Sequence, residues 1–163
     1  MKTTLLLVCI FFSTTLILSA QTAAEMDRML ETRARSVGLA ARFAMGAYGL
    51  LPEGLSGAAA EAAAYQAARS AGWVRGGPEE EINLRDTAFL LMNVFELRGG
   101  IMYRLFRSPR YAYREMVYRR LIQGRSYPHM GLSGPTFLQI LGRTLNFTGE
   151  REMMDAMLAS EAF

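Results

Sequence analysis

The sequence predicts an all-α fold, a bundle of about six short helices in a single domain. Apolar residues recur at helical spacing through most of the chain, and no segment shows the period of two that a half-buried strand needs. Clusters of glycine and proline separate the apolar runs. Hydrophobic residues make up 51% of the 163 residues, so the chain can bury a core of its own.

The segment 106–147 shows the pattern most clearly, as helix, long loop and helix. Ser108 and Pro109 are typical of a helix start, as the N-cap and the first helical position. Pro135 is predicted to open the second helix after a loop over 125–134 that is rich in glycine, serine and proline. The apolar stripes of the two helices are Tyr113, Met116, Val117 and Leu121, then Phe137, Ile140, Leu141 and Leu145.

The same signals predict the other elements. They are a helix over 22–48, an alanine-rich helix over 58–71 after Ser56, an apolar helix capped by Asn83 or Asp86, a short apolar turn or helix over 101–106, and a last helix over 149–161 capped by Thr148. The apolar helix capped by Asn83 or Asp86 ends near residue 97 and is expected to be the central one, because it is apolar nearly all round.

The chain resembles itself at an offset of 48 positions without a gap. Self-similarity at a period of tens of residues is typical of repeat architectures. The aligned pairs are Ala64 with Ala112, Tyr65 with Tyr113, Trp73 with Leu121, Gly76 with Gly124, Leu84 with Leu132, Phe89 with Phe137, Met92 with Ile140 and Leu97 with Leu145. The alternative is chance agreement between two amphipathic helix pairs. The repeat interpretation predicts units at about 40–63, 64–105 and 106–147.

Residues 106–145 resemble one S-layer homology repeat. The carrying features are the aromatic-alanine pair Tyr111-Ala112, the glycine that ends the helix at Gly124, and the Tyr127-Pro128 loop. A poorer copy covers 64–97, where Arg85 alone fits the signature of the second helix. The resemblance implies a helical bundle that binds acidic cell-wall polysaccharide in grooves between repeats.

The first 20 residues are predicted to be a cleaved signal peptide. Lys2 supplies the positive charge, an apolar stretch runs over 5–18, and Ser19-Ala20 offers a cleavage site. The alternative is a retained anchor, but the apolar stretch is short and contains polar residues. The remaining domain, 21–163, is expected to be exported to the periplasm or cell envelope of a bacterium, touching a membrane surface at most and not spanning it.

No catalytic, metal or cofactor site is predicted. Cys9 lies within the signal, so the mature chain has no cysteine, and His129 is the one histidine of the sequence. A single histidine cannot form a multi-histidine metal site. No nucleophile elbow, phosphate loop or dinucleotide fingerprint is present.

The predicted binding surface combines arginines with tyrosines. Eight arginines and one acidic residue lie between residues 98 and 125. Guanidinium groups suit carboxylate and phosphate, and tyrosine offers a flat face to sugars or a partner protein. The alternative is an ordinary solvated helix face. The candidate site residues are Arg85, Arg110, Tyr111, Arg114, Tyr118, Arg125 and Tyr127.

The function expected from these residues is an exported, non-enzymatic envelope module that binds an anionic wall polymer or envelope component through the arginine-tyrosine surface. The alternative is a structural or adaptor subunit that docks onto another envelope protein without a carbohydrate ligand. Nucleic acid is not an expected partner, since exported proteins rarely meet it.

Overall fold

The computed structural model describes residues 36–52 and 54–161, with side chains up to residue 156. Within these ranges the fold is all-α, which confirms the predicted class, and no strand is formed there. The predicted signal peptide and the predicted helical residues 22–35 lie outside the described residues. The helices are α1 Val37–Ala47, α2 Gly57–Ser70, α3 Leu84–Val94, α4 Ile101–Phe106, α5 Pro109–Tyr118 and α6 Gly134–Glu161.

A single apolar core joins these helices. α1 packs on α2, α3 packs on α5, and α1 also contacts α3 and α6. Helix α3 contributes several of the most deeply buried side chains, among them Leu90, Leu91 and Met92. This position agrees with its nearly all-round apolar sequence. None of the described helices is both long and apolar enough to cross a membrane.

The N-termini of α1 and α3 are docked by loops from later in the chain. The first amides of a helix have no partner within it, and when buried they need one from elsewhere. Here, backbone carbonyls supply it, with an N···O distance of 2.9 Å in each case. The bonds run from Val37 to Glu80, Gly38 to Pro78, Leu84 to Met130 and Arg85 to Pro128. A single bridge accompanies each pair, Ser36 with Glu81 and Asn83 with Gly131.

Helices α3 and α6 begin 50 residues apart, whereas the gapless offset of 48 pairs Leu84 at the start of α3 with Leu132 in the loop before α6. Gly76 and Gly124 do occupy matching positions at 48, with φ of 81° and 82°. The loop that follows is two residues longer in the second instance, and loops absorb such insertions cheaply. The buried pairs at 50 are Leu84 with Gly134, Thr87 with Phe137, Leu90 with Ile140, Leu91 with Leu141 and Val94 with Thr144.

Helices α2 and α5 end in the same way. The N–H of Trp73 donates to Ala68, and that of Leu121 donates to Met116, each five residues back. The residue before each donor is left-handed, Gly72 in one case and Arg120 in the other. Such a C-terminal turn closes the helix and directs the next residue back against its last turn.

The last helix is longer than its sequence pattern suggests. A break near residue 148 was predicted, yet α6 continues from Gly134 to Glu161. Thr148 does not cap a new helix, because its hydroxyl donates to the carbonyl of Thr144 at 2.9 Å within the same helix. At the start, Pro135 occupies the second position of α6 rather than the first. A proline at this position has no backbone N–H to donate to a carbonyl of a docking loop.

The helix caps differ in strength. Asn83, not Asp86, is the N-cap of α3: its side-chain oxygen accepts from the Asp86 N–H at 3.0 Å, and its amide donates to the Asp86 carboxylate at 2.6 Å. Ser56 and Ser108 stand at the N-cap positions of α2 and α5, but neither side chain makes a capping hydrogen bond.

We therefore expect Asn83→Ala to lower the free energy of unfolding by about 1 to 2 kcal/mol, because it removes the cap and its bond to Asp86. Ser56→Ala is the matched control and should change stability by less than about 0.5 kcal/mol. Urea unfolding followed by circular dichroism measures both. Equal losses in the two variants would show that the Asn83 side chain contributes no capping energy.

Two buried threonines should respond in opposite directions to valine. Thr87 and Thr144 are both 0% exposed. The Thr87 hydroxyl has no hydrogen-bond partner, whereas that of Thr144 donates to the Ile140 carbonyl at 2.8 Å. Thr87→Val should raise the free energy of unfolding by about 1 kcal/mol, because an unsatisfied buried hydroxyl is removed, and Thr144→Val should lower it by about 0.5 to 1 kcal/mol. The same denaturant titration decides, and a loss of stability in Thr87→Val would contradict the expectation.

Candidate functional site

A cavity lies where the turn after α2, the end of α3 and helix α4 meet. Its volume is about 630 Å³. That size falls in the range of about 300 to 1,000 Å³ that is usual for small-ligand sites. The lining residues are Trp73, Met92, Asn93, Glu96, Leu97, Arg98, Gly99, Tyr103, Arg104 and Arg107. We call this space the arginine cavity.

The charge of the arginine cavity is positive. Arg98, Arg104 and Arg107 line it, and Glu96 supplies the carboxylate among its described lining residues. None of the three guanidinium groups forms an ion pair with a described residue. Their donors therefore remain available to an anionic group that enters the cavity.

Tyr103 forms the floor of the cavity. It is 5% exposed, and burial raises the pKa of its phenol, while the positive charge of Arg107 and a hydrogen bond with Asn93 act in the opposite direction. A Cβ at Gly99 would overlap the Tyr103 ring, so the glycine allows the ring to lie against the chain that precedes α4. Asn93 is itself fixed by a 2.6 Å bond from its amide to the Phe89 carbonyl.

Three of the predicted site residues lie on the outer side of α5. Arg110, Arg114 and Tyr118 are one helical turn apart and exposed, Tyr118 to 84%. They form an open surface rather than a pocket. Tyr111 lies apart from them: it is half-buried and stacks on Phe106, with ring centroids 5.7 Å apart.

The other three predicted residues lie near the loop before α6. Arg85 is half-buried at the start of α3, where its Nε approaches the Asp86 carboxylate to 3.5 Å, so its charge is partly compensated. Arg125 lines a groove of about 230 Å³ together with Arg143. Tyr127 is 58% exposed in the loop itself. The seven predicted residues are thus found on the outer side of α5, beside Phe106, and around the loop before α6.

The residues of the arginine cavity were not selected from the sequence. The arginine-rich span of the sequence includes Arg98, Arg104 and Arg107, but the predicted site residues lie mainly on α5. The available signal was the spacing of Tyr103, Arg104 and Arg107, which places all three on one side of a helical turn. The partner residue Trp73 comes from a distant turn, and no local pattern connects it with α4.

The described residues contain no group of three or more His, Cys, Asp or Glu side chains placed to hold a metal ion. His129 is exposed in the loop before α6. The arginine cavity combines guanidinium groups, an indole and a phenol around a space of ligand size.

Comparison of the chain with protein families, with curated proteins and with solved structures found no match.

Tyr103 should make stability fall at alkaline pH. Because burial raises its pKa, the unfolded chain loses the phenol proton near pH 10, while the folded chain keeps it to a higher pH. The stabilisation is complete below the unfolded pKa and is lost as pH rises through the folded value. Tyr103→Phe should flatten this decline. Tyr118→Phe, at an exposed phenol, should leave it unchanged.

The measurement is urea unfolding at a series of pH values from about 8 to about 11, fitted for the free energy of unfolding in each variant. A slope that persists in Tyr103→Phe and disappears in Tyr118→Phe would contradict the assignment.

Proposed function

We propose that this chain is an exported, non-enzymatic binding module of the bacterial cell envelope, and that it recognises an anionic wall polymer in the arginine cavity. The observation that carries the proposal is the presence of three arginines without carboxylate partners around one cavity beside Trp73 and Tyr103.

The chemistry of the lining fits a charged sugar. A guanidinium group can donate two parallel hydrogen bonds to a carboxylate or phosphate. The flat faces of Trp73 and Tyr103 suit the apolar face of a sugar ring. A volume of about 630 Å³ leaves room for a short stretch of polymer rather than a whole chain, so the ligand would enter with one or two residues and continue outside.

The wider setting supports the same proposal. The predicted signal peptide places the domain outside the cytoplasm, and the resemblance to S-layer homology repeats indicates a wall-binding helical module. The recurrence of docked helix starts at α1 and α3 supports construction from repeated helix-loop-helix units. We therefore extend the proposal to a chain made of such units, with the ligand bound in the arginine cavity rather than across the α5 surface.

A second candidate is an adaptor that docks onto another envelope protein. It is favoured by the open outer side of α5, where Val117 and Tyr118 are 39% and 84% exposed next to Arg114. An exposed apolar and aromatic surface with a basic rim is typical of a protein contact.

Three pairs of charge-removing variants distinguish the two candidates. The first pair, Arg98→Gln with Arg107→Gln, removes two positive charges from the lining of the arginine cavity. Arg110→Gln with Arg114→Gln does the same on the outer side of α5. Arg75→Gln with Arg120→Gln, at exposed positions outside both, is the control with an equal change of net charge. Binding is measured to purified peptidoglycan and to a soluble anionic wall polysaccharide.

We expect the cavity pair to weaken polymer binding by about tenfold or more, since hydrogen bonds to charged groups contribute about 1.5 to 3 kcal/mol. The control pair should change it little. Equal losses in all three pairs would show that polymer binding depends on the net charge of the protein and not on the arginine cavity. A loss confined to the α5 pair would contradict binding in the cavity and assign the polymer to the outer side of α5. Capture of an envelope protein with no polymer bound would favour the adaptor.

A further inference from the structure

Helix α4 turns its apolar side away from the core. Four of its six residues are large, apolar and exposed: Ile101 to 78%, Leu105 to 69%, Phe106 to 56% and Met102 to 54%. At about 100° per residue these four side chains fall in an arc of roughly 140°. Tyr103 lies on the opposite side and is buried. A helix on a protein surface normally has the reverse orientation.

A strongly basic segment surrounds this apolar side. Residues 97–114 contain five arginines and neither aspartate nor glutamate. Arg104, Arg107 and Arg110 are all exposed within this segment. We call the four apolar residues with Arg104 and Arg107 the basic ridge. Contiguous exposed apolar surface of this kind usually marks an interaction site.

A second surface in the same chain carries the opposite charge. Beyond Thr148 the outer part of α6 has little intramolecular packing: residues 149–156 are exposed apart from Arg151, which is half-buried. An apolar stripe follows its outer side through Leu145, Gly149 and Met153, with Met153 64% exposed. Glu150 and Glu152 flank that stripe. We call this surface the acidic stripe.

The acidic stripe also lacks the support that helices normally need. Short helical stretches are marginally stable in water, and in proteins they depend on the burial of an apolar side. The described part of the chain provides no such burial beyond Phe147, which is half-buried under the guanidinium of Arg119 at 5.2 Å. A partner that covers Leu145 and Met153 would supply it.

We propose that a second copy of this chain is that partner, with the basic ridge of each protomer seated on the acidic stripe of the other. Both surfaces are apolar in the middle and charged at the edge, and their charges are opposite. Arg98, just before α4, and Asp155, on α6, line the same surface groove, so the chain leading into α4 and the outer part of α6 lie close together. A two-fold pair then buries both surfaces of both protomers at once.

Charge reversal with complementation tests the pairing. The basic variant is Arg104→Glu with Arg107→Glu, and the acidic variant is Glu150→Arg with Glu152→Arg. Arg75→Glu with Arg120→Glu is the control for reversed charge elsewhere. Sedimentation equilibrium of the chain, purified as the cell processes it and without polymer or lipid, gives the dimer dissociation constant of each variant and of an equimolar mixture of the basic and acidic variants.

The wild type and the control are expected to form reversible dimers that weaken as salt rises. Each reversed variant alone should dimerise at least about tenfold more weakly, because like charges then face each other, and the mixture should regain dimers. Leu105→Ser should weaken the dimer without reversing any charge.

Three results would overturn the pairing: a monomeric wild type, reversed variants that dimerise as tightly as the control, or a mixture that stays monomeric. The main alternative is that the basic ridge binds an anionic lipid surface. Flotation with phosphatidylcholine vesicles that contain phosphatidylglycerol tests it. A monomeric wild type that binds these vesicles, and loses binding in Leu105→Ser, would assign the basic ridge to lipid. Because these assays contain no polymer, they stand or fail separately from the proposed polymer binding.

Discussion

Buried helix starts impose the main constraint on this fold. Val37 and Leu84 are 3% and 1% exposed, so their amides cannot reach water and must find carbonyls within the protein. The carbonyls come from loops more than 40 residues further along, which ties α1 to the loop after α2 and α3 to the loop after α5. The loop that docks on α1 also contains Trp73, which lines the arginine cavity beside α4.

More of the fold than of the candidate site could be predicted from the sequence. Helical spacing depends on neighbours three and four positions apart, and these are visible in one sequence. A gapless comparison cannot detect that α6 begins 50 residues after α3 rather than 48. The break before α6's outer part was predicted wrongly because Thr148 resembles a cap, although its hydroxyl bonds backwards within the helix.

The site predicted from the sequence lies mainly on α5, because arginines and tyrosines alternate most densely there. The structure instead places three arginines around a cavity formed by segments that are far apart in sequence, Trp73 on one side and α4 on the other. Helix α4, predicted as a short apolar turn or helix, exposes its large apolar residues, and the buried residue in the middle of the helix is a tyrosine.

Pro135 has a consequence for what can dock at the start of α6. A loop that approached α6 in the way that Pro128 and Met130 approach α3 would find one amide missing at the second helical position. The first two residues of α6 therefore carry one backbone N–H between them, whereas the first two residues of α3 carry two and donate both.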